Sequence, residues 1–309
     1  MKIKTTLSAF GLILFLTGFG QPNYPMSAKD AILVYSDLEN FLIAYRQLNE
    51  DSDTVEVLKS NYFNKASAGL TEYVKRHGLT PESLARSINQ STEEYALLAL
   101  FHERITVFVD EFTKKMEKYE QVLKEVMYPP TYLLIGANKG IAQASPLGQL
   151  ITIEKVSDKP EKLFQLIWHE LSHFQQARAL GFSAYTKVYG KPDNMLDLIL
   201  REGGAEFIAI YLVGENEYNY RNKTYFEANE QSLKEKFLED LKNQDQSFWL
   251  WESLKQDETP TLLGYTIGYK ICESYYLRAV DKNQALLDIL AITDDQAFLK
   301  ASGYFKSSN

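Results

Sequence analysis

The chain has 309 residues, 45% of them hydrophobic and including 17 Phe and 20 Tyr, which is enough apolar material for a substantial core and too much for a disordered protein. Its formal net charge is −8, and no stretch clusters Lys and Arg as binding to a phosphate backbone requires, which argues against nucleic acid as a partner. Cys272 is the only cysteine, so no intramolecular disulfide can form and stability has to come from packing.

Residues 1–20 read as a signal peptide. Lys2 and Lys4 precede an apolar run from Leu7 to Phe19, and Gly18-Phe19-Gly20 offers small residues for cleavage. That run falls short of the roughly 20 residues that cross a bilayer as a helix. The mature chain is therefore expected to be exported to the periplasm or secreted, without a membrane span, and loss of the two lysines takes its charge to −10. No cysteine directly follows the run, which argues against a lipoprotein anchor. Nothing in the sequence signals an oligomeric state.

Residues 27–127 carry helical periodicity, beginning with Ile32, Leu33, Tyr35, Leu38, Phe41, Leu42 and Tyr45. Thr80-Pro81-Glu82 reads as an N-cap followed by proline at the first helical position. Ser91-Thr92-Glu93-Glu94 fits a capping box before a long helix, which Pro129-Pro130 should end. The period then changes. Residues 131–136 and 148–154 are short, rich in β-branched and aromatic residues and flanked by turn formers, so both are predicted strands. Helical patterns resume from Pro160 to about Leu180, closed by Gly181, then from Met195 to Val213, from Tyr225 to Asn243, and from Gly264 onward. The fold class is therefore α+β and predominantly helical. The expected organisation is a helical N-terminal region at 21–128 and a catalytic region at 129–309, packed as one unit.

The chemistry is concentrated in Leu166-Ile167-Trp168-His169-Glu170-Leu171-Ser172-His173-Phe174. In a helix the i, i+4 spacing puts His169 and His173 on one face, within reach of one tetrahedral zinc ion. Leu163, Ile167, Leu171 and Phe174 form a stripe roughly opposite for packing, and Trp168 reads as packing as well. A catalytic zinc needs a third protein ligand and one open position. No histidine follows His173, so the third ligand should be a carboxylate. Arg201-Glu202-Gly203-Gly204-Ala205-Glu206 supplies two acids on one helical face. The small residues between them permit close approach to another helix, and 28 residues separate His173 from Glu202, ample for a helical return.

These two segments, an H-E-x-x-H motif followed by Glu202-Gly203-Gly204-Ala205-Glu206, resemble those of the gluzincins. The span from Tyr132 to about Tyr276, including Gly264-Tyr265-Thr266-Ile267-Gly268-Tyr269-Lys270, resembles a bacterial family of predicted zinc-dependent proteases and the related gliding-motility lipoproteins, although the lipoprotein cysteine is missing. The resemblance implies a zincin-like metalloprotease domain with a small sheet. In it His169, His173 and Glu202 are ligands of Zn2+, Glu170 is the general base, and Glu206 is an outer acid orienting a ligand histidine. Such a site activates water against a peptide or protein substrate.

Two further parts of a peptidase site have candidates in the sequence. Gln149 to Glu154 is the strand chosen as an edge for pairing with an extended peptide, a buried central strand being the alternative reading. The donor to the developing oxyanion should be a tyrosine, arginine or lysine, and Tyr265 and Tyr269, at i, i+4, are the candidates, core packing being the alternative reading of that spacing. The competing readings are a catalytically idle zincin-fold binding or envelope-assembly protein, which the presence of Glu170 argues against, and a structural metal domain, which the single remote cysteine argues against.

Overall fold

The computed structural model describes residues 23–123, 125–188, 191, 193–215, 217–251 and 260–305, so the expected signal peptide lies outside the described residues. The chain is predominantly helical with one small four-stranded sheet, and it divides into two units, residues 1–171 and 172–309.

In the first unit, β1 (Leu33–Val34) pairs in parallel with β2 (Thr131–Leu134), and β2 pairs in parallel with β4 (Gly148–Thr152). β3 (Ala142–Ser145) runs antiparallel to β4, giving the order β1-β2-β4-β3. Of the two readings of Gln149–Glu154, the edge is thus corrected and the buried central strand is the one found. β4 is flanked on both sides, all its residues are buried, and β3 is the strand at that edge. β3 reads Ala-Gln-Ala-Ser, with no β-branched or aromatic residue to mark it, so it escapes a propensity-based reading. Leu33 and Val34 are also corrected from helix to strand, because their ladder partners, Thr131 and Tyr132, lie about 98 positions away.

Helices α1 (Ser36–Tyr45) and α3 (Ala68–His77) pack on β2, with α2 (Thr54–Asn61) beside α1. The α3 approach requires Gly69, since a Cβ there would meet the Tyr132 ring at 2.3 Å. α4 (Pro81–Gln90) starts as its sequence indicates: the Thr80 side chain accepts from the Ser83 amide and Pro81 occupies the first turn. The capping box expected at Ser91 does not form. Ser91 closes α4 with its amide and opens α5 (Thr92–Glu103) with its carbonyl, leaving its side chain out of the cap. The long helix is broken at Arg104, and α6 (Ile105–Val122) stops where Leu123 turns extended, before Pro129.

The second unit begins inside α7 (Pro160–Leu180). It continues with α8 (Phe182–Lys187), α9 (Met195–Val213), α10 (Glu217–Ala228), α11 (Glu230–Asn243), α12 (Leu263–Arg278), α13 (Lys282–Leu290) and α14 (Asp295–Ser302). The single charged helix expected over 225–243 is instead α10 and α11, parted at Asn229. α9 and α12 form the spine of the unit. At their crossing a Cβ on Gly203 would lie 2.1 Å from the Gly268 backbone, and one on Gly268 would lie 2.2 Å from the Ile199 carbonyl. The glycines therefore let two backbones touch, and Ile199, Ile267, Ile271 and Cys272 fill the surrounding core. Among the described residues no helix is long and apolar enough to cross a membrane.

Candidate metal centre

α7 is locked at its centre by aromatic packing. Phe164 stacks on Phe108 of α6 at 4.6 Å between centroids, and Trp168 meets Tyr119 and Phe164 edge-on at 6.3 and 5.8 Å. Leu163, Ile167, Leu171 and Phe174 are buried, as the apolar stripe requires. The histidine face is buried too: His169, Glu170 and His173 are 8, 7 and 5% exposed. Close-packed polar groups at this depth need partners, and here they face one another. One ligand atom from each of His169, Glu170 and His173 lies within 4.8 Å of the others.

α9 brings the acid. Glu202, 4% exposed, places Oε2 3.4 Å from Nε2 of His173. Two ligand atoms at about 2.0–2.1 Å from one tetrahedral ion stand roughly 3.3 Å apart. The His173–Glu202 separation therefore fits a shared zinc ion, and nitrogen and carboxylate donors are the types zinc takes.

The other ring nitrogen of His173 is engaged by groups the sequence reading did not single out. Nδ1 lies 3.0 Å from Gln176 Oε1 and 2.9 Å from the Tyr185 hydroxyl. The Gln176 amide is oriented by its own second bond, Nε2 donating to the Arg201 carbonyl at 2.9 Å, so Oε1 is the atom facing the imidazole. Tyr185 is held in turn by Arg201, whose guanidinium sits 4.3 Å from the Tyr185 ring centroid, donates to the Tyr185 carbonyl and pairs with Asp197 at 2.6 Å. Gln176 carries a faint sequence signal, three positions after His173 on the same helix. Tyr185 carries none, because its proximity depends on how α8 folds back.

Glu206 is placed differently from Glu202. Its Oε1 accepts from Asn219 Nδ2, and it lines a small cavity with Asn219, Lys223, Tyr265 and Tyr269. Tyr265 and Tyr269 come together on that cavity wall, where Tyr269 donates to Glu273 Oε1 at 3.0 Å. Burial first, then the carboxylates of Glu273, Glu215 and Glu206, push the Tyr269 hydroxyl pKa well up, so it stays protonated as a hydrogen-bond donor.

A family model described as "Predicted Zn-dependent protease (DUF2268)" matches residues 101–293, a span containing α7, α9 and α12. The match concerns that family and says nothing of gliding-motility lipoproteins. No curated protein and no solved structure matches the chain. With more than half of its length matched, and a buried His-Glu-His cluster within the match, the chain belongs to the DUF2268 family of predicted zinc-dependent proteases.

Proposed function

We propose that the chain is a gluzincin-like zinc metallopeptidase, exported by its leader, that cleaves peptide bonds in a peptide or protein substrate. The observation that supports this most directly is the His169–Glu170–His173 cluster on one helix with the Glu202 carboxylate 3.4 Å from His173. His169, His173 and Glu202 would hold Zn2+, which when bound supplies Lewis acidity and lowers the pKa of water toward about 7. Glu170 is not needed as a ligand in that set. One of its carboxyl oxygens lies within 4.8 Å of a ring nitrogen of each of His169 and His173, where a carboxylate can take a proton from water and return it to the departing amine. Burial of all three α7 groups keeps bulk water from screening them. Tyr265 and Tyr269 are the proposed donors to the developing oxyanion, Tyr269 exchanging its bond to Glu273 for one to substrate.

The test is hydrolysis of a diverse peptide library by the purified chain, with Glu170→Gln compared at matched zinc content. The substitution keeps the shape and removes the proton acceptor, so the variant should retain fold and metal and lose at least about 100-fold in kcat/KM. Wild-type turnover by the variant would overturn the assignment of Glu170.

A further inference from the structure

We infer that Gln176 and Tyr185 are the positioning residues of the metal centre: together they hold the Nδ1–H of His173 so that Nε2 stays turned toward Glu202. The inference rests on the zinc reading above and adds to it two residues outside the motif.

Gln176 Nε2 is committed to the Arg201 carbonyl, so its Oε1 can only accept, and the His173 nitrogen facing it at 3.0 Å has to be the protonated one. A neutral imidazole protonated at Nδ1 has its lone pair at Nε2, the atom 3.4 Å from Glu202 Oε2. Tyr185 reinforces this: its oxygen is 2.9 Å from Nδ1, and its hydroxyl can donate to Gln176 Oε1 at 3.3 Å. The ring therefore has two acceptors for one proton.

Gln176 also ties the two ligand-bearing helices together. One end of its amide bonds His173 of α7, and the other bonds the carbonyl of Arg201, the residue next to Glu202 in α9. Tyr185 is buried and pinned by Arg201 through its ring and its carbonyl, so the hydroxyl cannot swing away. Outer partners that fix a ligand imidazole typically contribute 10- to 100-fold in metal affinity. With two acceptors sharing one proton, that loss should emerge only when both are gone.

The experiment is a zinc competition titration of the full chain against a calibrated chelator, for Tyr185→Phe, Gln176→Met, their combination, and Gln176→Glu combined with Tyr185→Phe. Each single variant should bind zinc within about threefold of wild type and the Met/Phe double variant about 10- to 100-fold more weakly, while the Glu/Phe variant, which regains an acceptor, should recover most of the loss. A folded Met/Phe variant with wild-type affinity overturns the inference, as does failure of Glu at position 176 to rescue. Should the Met/Phe variant not fold, 15N shifts of His173 in the metal-free wild-type chain at pH 8 decide: an Nδ1-protonated ring supports the inference and an Nε2-protonated ring overturns it. His173→Ala separates the two levels. If wild type binds no zinc, or His173→Ala binds it as tightly, the metal reading falls as well. If His173→Ala loses zinc while the Met/Phe variant does not, the positioning role alone falls.

Discussion

Glu202 and Glu206 lie one helical turn apart on α9, and their surroundings separate them: Glu202 meets His173 Nε2, while Glu206 accepts from Asn219 at a cavity wall. Glu202→Ala should therefore weaken zinc binding further than Glu206→Ala, whose loss should stay within about 100-fold. A chelator titration giving the reverse order would exchange their roles. His169→Ala and His173→Ala should each largely abolish zinc retention by elemental analysis. Away from this site, Glu154 is buried. Its Oε1 accepts from the amides of Gly136 and Asn138, and its Oε2 has no hydrogen-bond partner. Burial outweighs those bonds and raises its pKa from the ordinary 4.5. Because the folded form holds its proton more tightly than the unfolded form, the stability linked to it is complete below about pH 4.5 and is lost as pH rises through the raised folded value. Glu154→Gln, neutral throughout, should abolish that decline. Urea midpoints of the two proteins that run parallel from pH 4 to 8 would refute it.

The α9–α12 crossing is where element packing supports the site, since Gly203 follows Glu202 directly and its backbone lies against Gly268. A methyl group on Gly203 meets backbone that cannot yield, so Gly203→Ala should destabilise by about 1–3 kcal/mol or more despite the better helix propensity of alanine. On Gly204 the nearest atoms would be a side-chain methyl of Ile289 at 3.2 Å and Gln176 Nε2 at 3.4 Å. Gly204→Ala should stay within about 1 kcal/mol, because the propensity gain offsets a contact that side chains can relax. Denaturant unfolding of both variants checks the contrast, and equal losses would mean that the crossing is not the constraint. The Glu-Gly-Gly-Ala-Glu run announces a close approach, but the partner glycine, 65 positions downstream, is identified only when the helices are packed.

Each unit carries its own apolar core: Phe41, Leu133 and Ile151 in the first, Ile199, Ile267 and Ile271 in the second. Neither core contains the proposed zinc ligands. A chelator should therefore abolish hydrolysis while leaving the far-UV circular dichroism spectrum unchanged and lowering Tm by only a few degrees, the loss expected when a ligand of the native state is removed. Unfolding on chelation would instead indicate a structural metal. The features legible in the sequence are local. The His169–His173 spacing, the Thr80-Pro81 helix start, the span of α9 and the strands, predicted over 131–136 and 148–154 and found over 131–134 and 148–152, depend on hydrogen bonds and side-chain rows within a few residues of chain. Only the packed structure establishes that β4 is central and Ala142–Ser145 the edge, that Leu33 and Val34 leave the helical pattern to pair with β2, and that Tyr185 stands behind the imidazole. In each of these the deciding contact joins residues far enough apart that it exists only after the intervening chain has closed and packed, which no local pattern encodes.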